Sequence, residues 1–284
     1  MHLRCSTYLS EPAWQKIAWK GRSNGSYDQL LDLMSLLPSI FEDSDRLGNP
    51  TPSEMPALFA VLDRCWALDS FLQKFYSDLQ SNCDGPLYWN RLATLEFLPD
   101  EVNSEKLFPV AFHFKDLSSA FTTNMYWMAC ILTFRTIMEI YGRIMKFAQL
   151  HSPPAQSTPP PPTSRSSTPY IKPEPSPPAT PPSPLATYMA KLRPLEHRKD
   201  LVGLAKNIAQ TVEFCIQEDK KSQGPGAMMV PLLMATLTFR YSPGCERELA
   251  WARAAMDLLA DRGWKIARHL EPEGVGYTKK KPRD

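Results

Sequence analysis

The chain reads as an all-α protein, an irregular multi-helix domain with a disordered Pro/Ser/Thr-rich insertion. Three observations predict this. Apolar residues recur at spacings of three and four through most of the 284 positions, which places them on single faces of helices. No series of short alternating runs separated by turn residues announces a sheet. Between Pro153 and Pro184 lie 14 of the 28 prolines, mixed with Ser and Thr and almost free of apolar residues, so no packed core can form there. Outside that stretch, an apolar content of 43% supplies ample core material.

The elements follow in chain order. Within residues 1–25, SEPAWQKIAWKG is a short amphipathic segment with Ser10 as N-cap and Trp14 and Ile17 three apart, expected to pack on the main body. Ser26 opens the next helix, in which Leu30, Leu33, Met34 and Leu37 form the stripe and Pro38 is expected to end it. Residues 53–80 carry Leu58, Val61, Leu62, Cys65, Leu68, Leu72, Phe75 and Leu79 at helical period. Residues 81–114 are less regular and aromatic. VAFHF alternates like a strand, but a lone strand has nothing to pair with, so it reads as an extended approach to a helix. That helix spans 116–149, and its middle is apolar nearly all round, the mark of a central buried helix. Its most apolar window, MYWMACILTF, is closed by Arg135 and covers only about half a bilayer. After the insertion, helices are expected over 187–192, 199–217, 226–240 and 243–262. Leu201, Leu204, Ile208, Val212 and Cys215 form the stripe of the second, and Pro231 is expected one turn into the third. In the last, Ser242 serves as N-cap, Pro243 takes the first position, and Leu249, Ala252, Met256 and Leu259 face inward. Gly263 then stops it in a left-handed conformation, and Trp264 begins another short turn. The chain therefore divides into residues 1–151, the first half of a helical domain; 152–184, the insertion; 185–271, the remaining helices of the same domain; and 272–284, a flexible basic tail.

Lys plus Arg number 32 against 30 Asp plus Glu, so no global basic field draws the chain onto a phosphate backbone. Cys5, Cys65, Cys83, Cys130, Cys215 and Cys245 are 60, 18, 47, 85 and 30 positions apart, neither a disulfide scaffold nor a zinc site. They read as small buried hydrophobes in a reducing compartment. MHLRCSTYLS lacks the basic start and long apolar run of a signal peptide.

Two blocks carry a family resemblance. VGLAKNIAQTVEFCIQ (202–217), with GPGAMMVPLLMATLTF and PGCERELAWARAAMDLLADRGWKIARHL after it, resembles the C-terminal part of the regulatory domain of fungal binuclear zinc-cluster transcription factors. LFPVAFHFKDLSSAFTTNMYWMACIL (107–132) resembles the middle of the same domain, where a Phe-rich entry leads to a helix bearing a Tyr-Trp pair. The family reads DNA through six closely spaced cysteines holding two zinc ions, and the six cysteines of this chain are too far apart for that knot. The resemblance thus implies a zinc-cluster-type regulatory domain without the zinc cluster. It would work in the nucleus through proteins of the transcription machinery, a homologous regulator or second copy, or a small effector, without binding nucleic acid itself. The alternatives are a cytoplasmic location, a helical enzyme with a small-molecule pocket between 107–132 and 226–240, and a helical dimerisation scaffold.

No residue set amounts to a catalytic or metal site, and no cofactor is expected. Gly21-Arg22-Ser23-Asn24-Gly25 matches the GxSxG elbow of hydrolases but lacks the strand and sheet that elbow needs. His2, His113, His151, His197 and His269 share no metal-binding spacing. Glu42, Asp43 and Asp45 read as solvated charges in a turn, and Phe121, Tyr126 and Trp127 as core aromatics that could otherwise line a pocket. The sharper signals are sites of modification. Ile171-Lys172-Pro173-Glu174 fits the apolar-Lys-x-acid pattern of SUMO conjugation, and Ser176, Thr180 and Ser183 each precede proline, as in proline-directed phosphorylation. Lys279, Lys280, Lys281 and Arg283 form a candidate nuclear-import tail.

Overall fold

The computed structural model describes residues 24–97, 105–151 and 192–270, with isolated positions 13, 17, 20, 189 and 190. The Pro-rich insertion and the basic tail, with Lys172, Ser176, Thr180, Ser183, Lys279, Lys280, Lys281 and Arg283, lie outside them, as does most of the amphipathic segment before Asn24.

Among the described residues the architecture is all-α with one small two-stranded sheet. Helix α1 (Ser26–Met34) starts behind Gly25, whose N–H donates to the Asp28 carboxylate at 3.1 Å. The chain breaks at Ser35 and Leu36, and α2 (Leu37–Arg46) follows at once with Pro38 at its second position. The expectation that Pro38 ends a helix is corrected: it begins one, where its missing N–H has no intrahelical partner to lose. Glu42, Asp43 and Asp45 are likewise helical rather than in a turn. Glu42 and Asp43 pair with Arg46, and Asp43 also meets Arg64 of α3 (Met55–Ser81) at 2.5 Å.

A second correction concerns residues 88–114. VAFHF is a strand, β2 (Val110–Phe114), paired antiparallel with β1 (Tyr88–Leu92) in the register Tyr88 to Phe114 through Leu92 to Val110. Its alternation was a true strand signal, and the partner lay upstream in YWNRL across a long connection. Phe112 and Phe114 face Tyr88, while His113 lies against Phe214. Asp116 then caps α4 (Leu117–His151), accepting the Ser119 N–H at 2.7 Å. At 35 residues, α4 is about 52 Å long and runs through the whole body.

Beyond the insertion, the Asp200 carboxylate accepts the Gly203 N–H at 2.7 Å and caps α5 (Leu201–Cys215). Helix α6 (Gln223–Arg240) starts three residues earlier than expected, so Pro231 sits deep inside it rather than one turn in. The early start brings Gly224 against the end of α5, where a Cβ would stand 1.8 Å from the Cys215 carbonyl oxygen. Helix α7 (Glu246–Asp261) starts later than expected. Ser242 Oγ donates back to the Thr238 carbonyl at 2.8 Å, closing α6 instead of capping α7. Gly244 then turns the chain at φ +79°. The far end of α7 follows the sequence: Gly263 has φ +109°, its N–H reaches the Ala260 carbonyl, and the Trp264 N–H reaches that of Leu259, the Schellman pattern. A short α8 (Ala267–Leu270) completes the described chain.

Two hydrophobic clusters share α4. The first is built from β2, one face of α4 and helices α5 to α8, with Trp127, Ile208, Met228, Phe239 and Trp251 among its buried residues. The second joins α1, α2 and α3 to the other face of α4 through Leu58, Leu72, Ile137, Ile140 and Ile144. Among the described residues no helix is long and apolar enough to cross a membrane.

Candidate functional site

An aromatic seam crosses the molecule where the two clusters meet at α4. Tyr126 touches both clusters, stacks on Tyr76 of α3 at 4.6 Å and donates its hydroxyl to Cys130. Tyr88 of β1 packs edge-on to Trp127 at 5.6 Å and on Phe112 at 4.6 Å. Tyr76 and Tyr88 are hydrogen-bonded through their hydroxyls. The seam opens to solvent as a cleft of about 540 Å³ between the end of α3 and β1, within the size range of ligand clefts. Tyr76, Pro86, Tyr88 and Trp89 form its apolar surface, and Gln80 and Asn90 its polar rim. Trp89 is 39% exposed.

Burial and the neighbouring Tyr88 push the Tyr76 phenol up to about 12, so at neutral pH it is a hydrogen-bond donor and not a base. Burial also drives Tyr126 well above the ordinary phenol range. Cys65, Cys130 and Cys215 are pushed by burial to about 12, which leaves no useful thiolate fraction at pH 7. Cys83 and Cys245 are also free thiols.

The residues singled out from sequence fall in different places. Trp127 is buried in the first cluster, and Phe121 packs on Tyr27 at 4.8 Å. Between 107–132 and 226–240, the segments considered for an enzyme pocket, Asn124 donates to the Met228 sulfur at 3.5 Å with both residues fully buried. His113 packs on Phe214, and His197 on Phe134 at 6.0 Å. Burial lowers the His113 imidazole pKa. Among the described residues no three His, Cys, Asp or Glu side chains are gathered for a metal ion. Of the GxSxG match, Asn24 and Gly25 are described and form the approach to α1.

Sequence reasoning missed a buried ion pair. Asp69, 1% exposed on the inner face of α3, receives Arg198 Nε at 2.9 Å and Nη2 at 2.6 Å, and Gln73 Nε2 at 3.1 Å. The Arg198 guanidinium also lies over the Trp66 ring at 4.8 Å. The available signal was a carboxylate three residues after Trp66 and four after Cys65, on the apolar stripe itself. A second missed contact is Glu213 of α5, whose carboxylate accepts the backbone N–H groups of Thr94 and Leu95 at 2.8 and 2.9 Å and pins the loop after β1. Comparison with known proteins finds no matching family model, no matching curated protein and no matching solved structure.

Proposed function

We propose that this chain is a non-enzymatic regulatory domain of the fungal zinc-cluster type, acting in the nucleus through protein partners or a small effector rather than by contacting DNA itself. One observation carries the reading. The buried residues of the first cluster run from Phe108 to Ile131 and from Ala205 to Ala267, so they come wholly from the two blocks that carry the family resemblance. Two stretches separated by the insertion thus fold into one core, as pieces of a single domain would. The cleft beside that core offers aromatic surface and hydrogen-bond donors, which suits binding a partner or an effector. The basic tail would serve nuclear import, and Lys172, Ser176 and Thr180 would be the points where modification alters the insertion.

Tethering the full chain to an unrelated DNA-binding module upstream of a reporter tests the proposal. A change in reporter output that is lost on Phe239→Ala, a substitution in the first cluster, supports it. Unchanged output from a stably expressed fusion overturns it, and so does tight promoter binding by the untethered chain at physiological salt.

A further inference from the structure

We propose that the aromatic cleft at Tyr76, Tyr88 and Trp89 is a docking groove for a polyproline segment, and that its occupant is the chain's own run from Pro175 to Pro184. The groove has the required surface. Tyr76 and Tyr88 are held from behind by Tyr126, Phe112 and Trp127 at ring separations of 4.6 to 5.6 Å, so their positions are fixed before anything binds. Pro86 and the exposed Trp89 complete an apolar ridge. A polyproline II helix makes no internal hydrogen bonds and presents bare carbonyls, and the exposed side chains of Gln80, Trp89 and Asn90 set donors along the rim. Aromatic ridges with such donors accept PxxP segments because the ligand loses little conformational freedom on docking.

The occupant follows from the sequence and from where the described chain resumes. Pro175, Pro178, Pro181 and Pro184 recur every third residue in PSPPATPPSP. Three residues make one polyproline II turn, so a segment with this spacing would present its four prolines along one edge in that conformation. Leu192 packs on the second cluster, and the Arg193 guanidinium lies 5.5 Å from the Trp66 ring centroid. From Trp66 to Tyr76 is ten residues of α3, about 15 Å. Eight residues separate Pro184 from Leu192 and reach about 26 Å when extended. At the other end, the 24 residues from His151 to Pro175 reach about 80 Å. Only 25 residues of α4, about 38 Å, separate His151 from Tyr126 behind the groove. Both arms are long enough for the run to lie in the groove of its own molecule.

Placing a photo-crosslinking benzoylphenylalanine at position 89 of the full chain, and separately at position 80, tests this. The expected product is an intramolecular crosslink to residues 173–185, lost when Pro175, Pro178, Pro181 and Pro184 are all changed to Ser. A free peptide of residues 173–185 should compete only at concentrations on the order of millimolar, the effective concentration a tether provides. Crosslinks to any other segment, to a second copy at high dilution, or to nothing in a chain whose unfolding transition matches wild type would each overturn the proposal.

Discussion

The two hydrophobic clusters are built from different materials around one shared helix. The first is aromatic and contains the two-stranded sheet: Phe108, Phe112, Phe114, Trp127, Phe214, Phe239 and Trp251 are all within it. The second is mostly aliphatic helix-on-helix packing, with Leu30, Leu58, Leu72, Ile137 and Ile144 fully or almost fully buried. Its polar contacts include the ion pair of Asp69 and Arg198 and the Arg143 guanidinium on buried Ser44. Helix α4 gives Ala120, Trp127 and Ile131 to the first cluster and Met128, Ile137 and Ile140 to the second. A helix with neighbours on opposite faces must be apolar nearly all round, which is the pattern its sequence shows. The comparison teaches that the clusters differ in composition and depend on each other for order: neither keeps its wall if α4 unravels.

Breaking the comparison from either side should have large effects. Arg198→Leu leaves the Asp69 carboxylate buried and without its partner, and should lower stability by about 3–5 kcal/mol. The paired change Asp69→Leu with Arg198→Met should recover most of that loss, as read from urea denaturation of both variants. In the first cluster, Phe239→Ala removes a side chain that is 1% exposed and should cost about 3–5 kcal/mol. Because α4 is shared, hydrogen exchange at Ile137 and Ile140 in the second cluster should quicken as well. Protection unchanged there would show that the clusters open separately.

The buried thiols supply a pH lever that touches both sides of α4. Cys65 and Cys130 belong to the second cluster and Cys215 to the first, and each is raised from 9.0 to about 12. A thiol raised in the folded state stabilises fully below its unfolded value, and the contribution is lost as pH rises toward the folded value. Stability should therefore fall between pH 9 and 12, initially by about 1 kcal/mol per pH unit for each buried thiol. Urea midpoints measured at pH 8 and pH 10 check this, and a flat profile would contradict the burial of these groups.

Smaller effects sharpen the picture of the first cluster. Gly224→Ala drives a methyl group into the Cys215 carbonyl and should cost about 1–3 kcal/mol. Gly263→Ala meets open space but must adopt φ +109°, a penalty of about 1–2 kcal/mol. Thermal unfolding followed by circular dichroism separates the two, with the Gly224 variant melting lower.

How much of this was legible in the sequence depended on distance along the chain. The stripes of α3 and α4 were readable because helical neighbours lie three or four residues apart, and the Gly263 stop was readable for the same reason. The two-stranded sheet was not, because Val110 meets Leu92 across 18 positions and the aromatic run YWNRL shows no clear alternation. Pro38 and the pair Ser242–Pro243 misled for a local reason. Each is compatible with two adjacent helix ends, and the choice was made by tertiary packing of Leu37 and Cys245, both buried. The cleft was invisible in sequence because Tyr76 and Trp89 come from different elements. Asp69 did leave a trace, as a charge among Cys65, Trp66, Leu68 and Leu72, but its partner Arg198 is 129 residues away.

The most direct test of the shared-helix account is calorimetric unfolding of the full chain at neutral pH, watched in parallel by near-UV circular dichroism from the aromatic cluster. A single transition with coincident midpoints and equal calorimetric and van't Hoff enthalpies is predicted. Two resolved transitions, with the aromatic signal lost in only one of them, would contradict it.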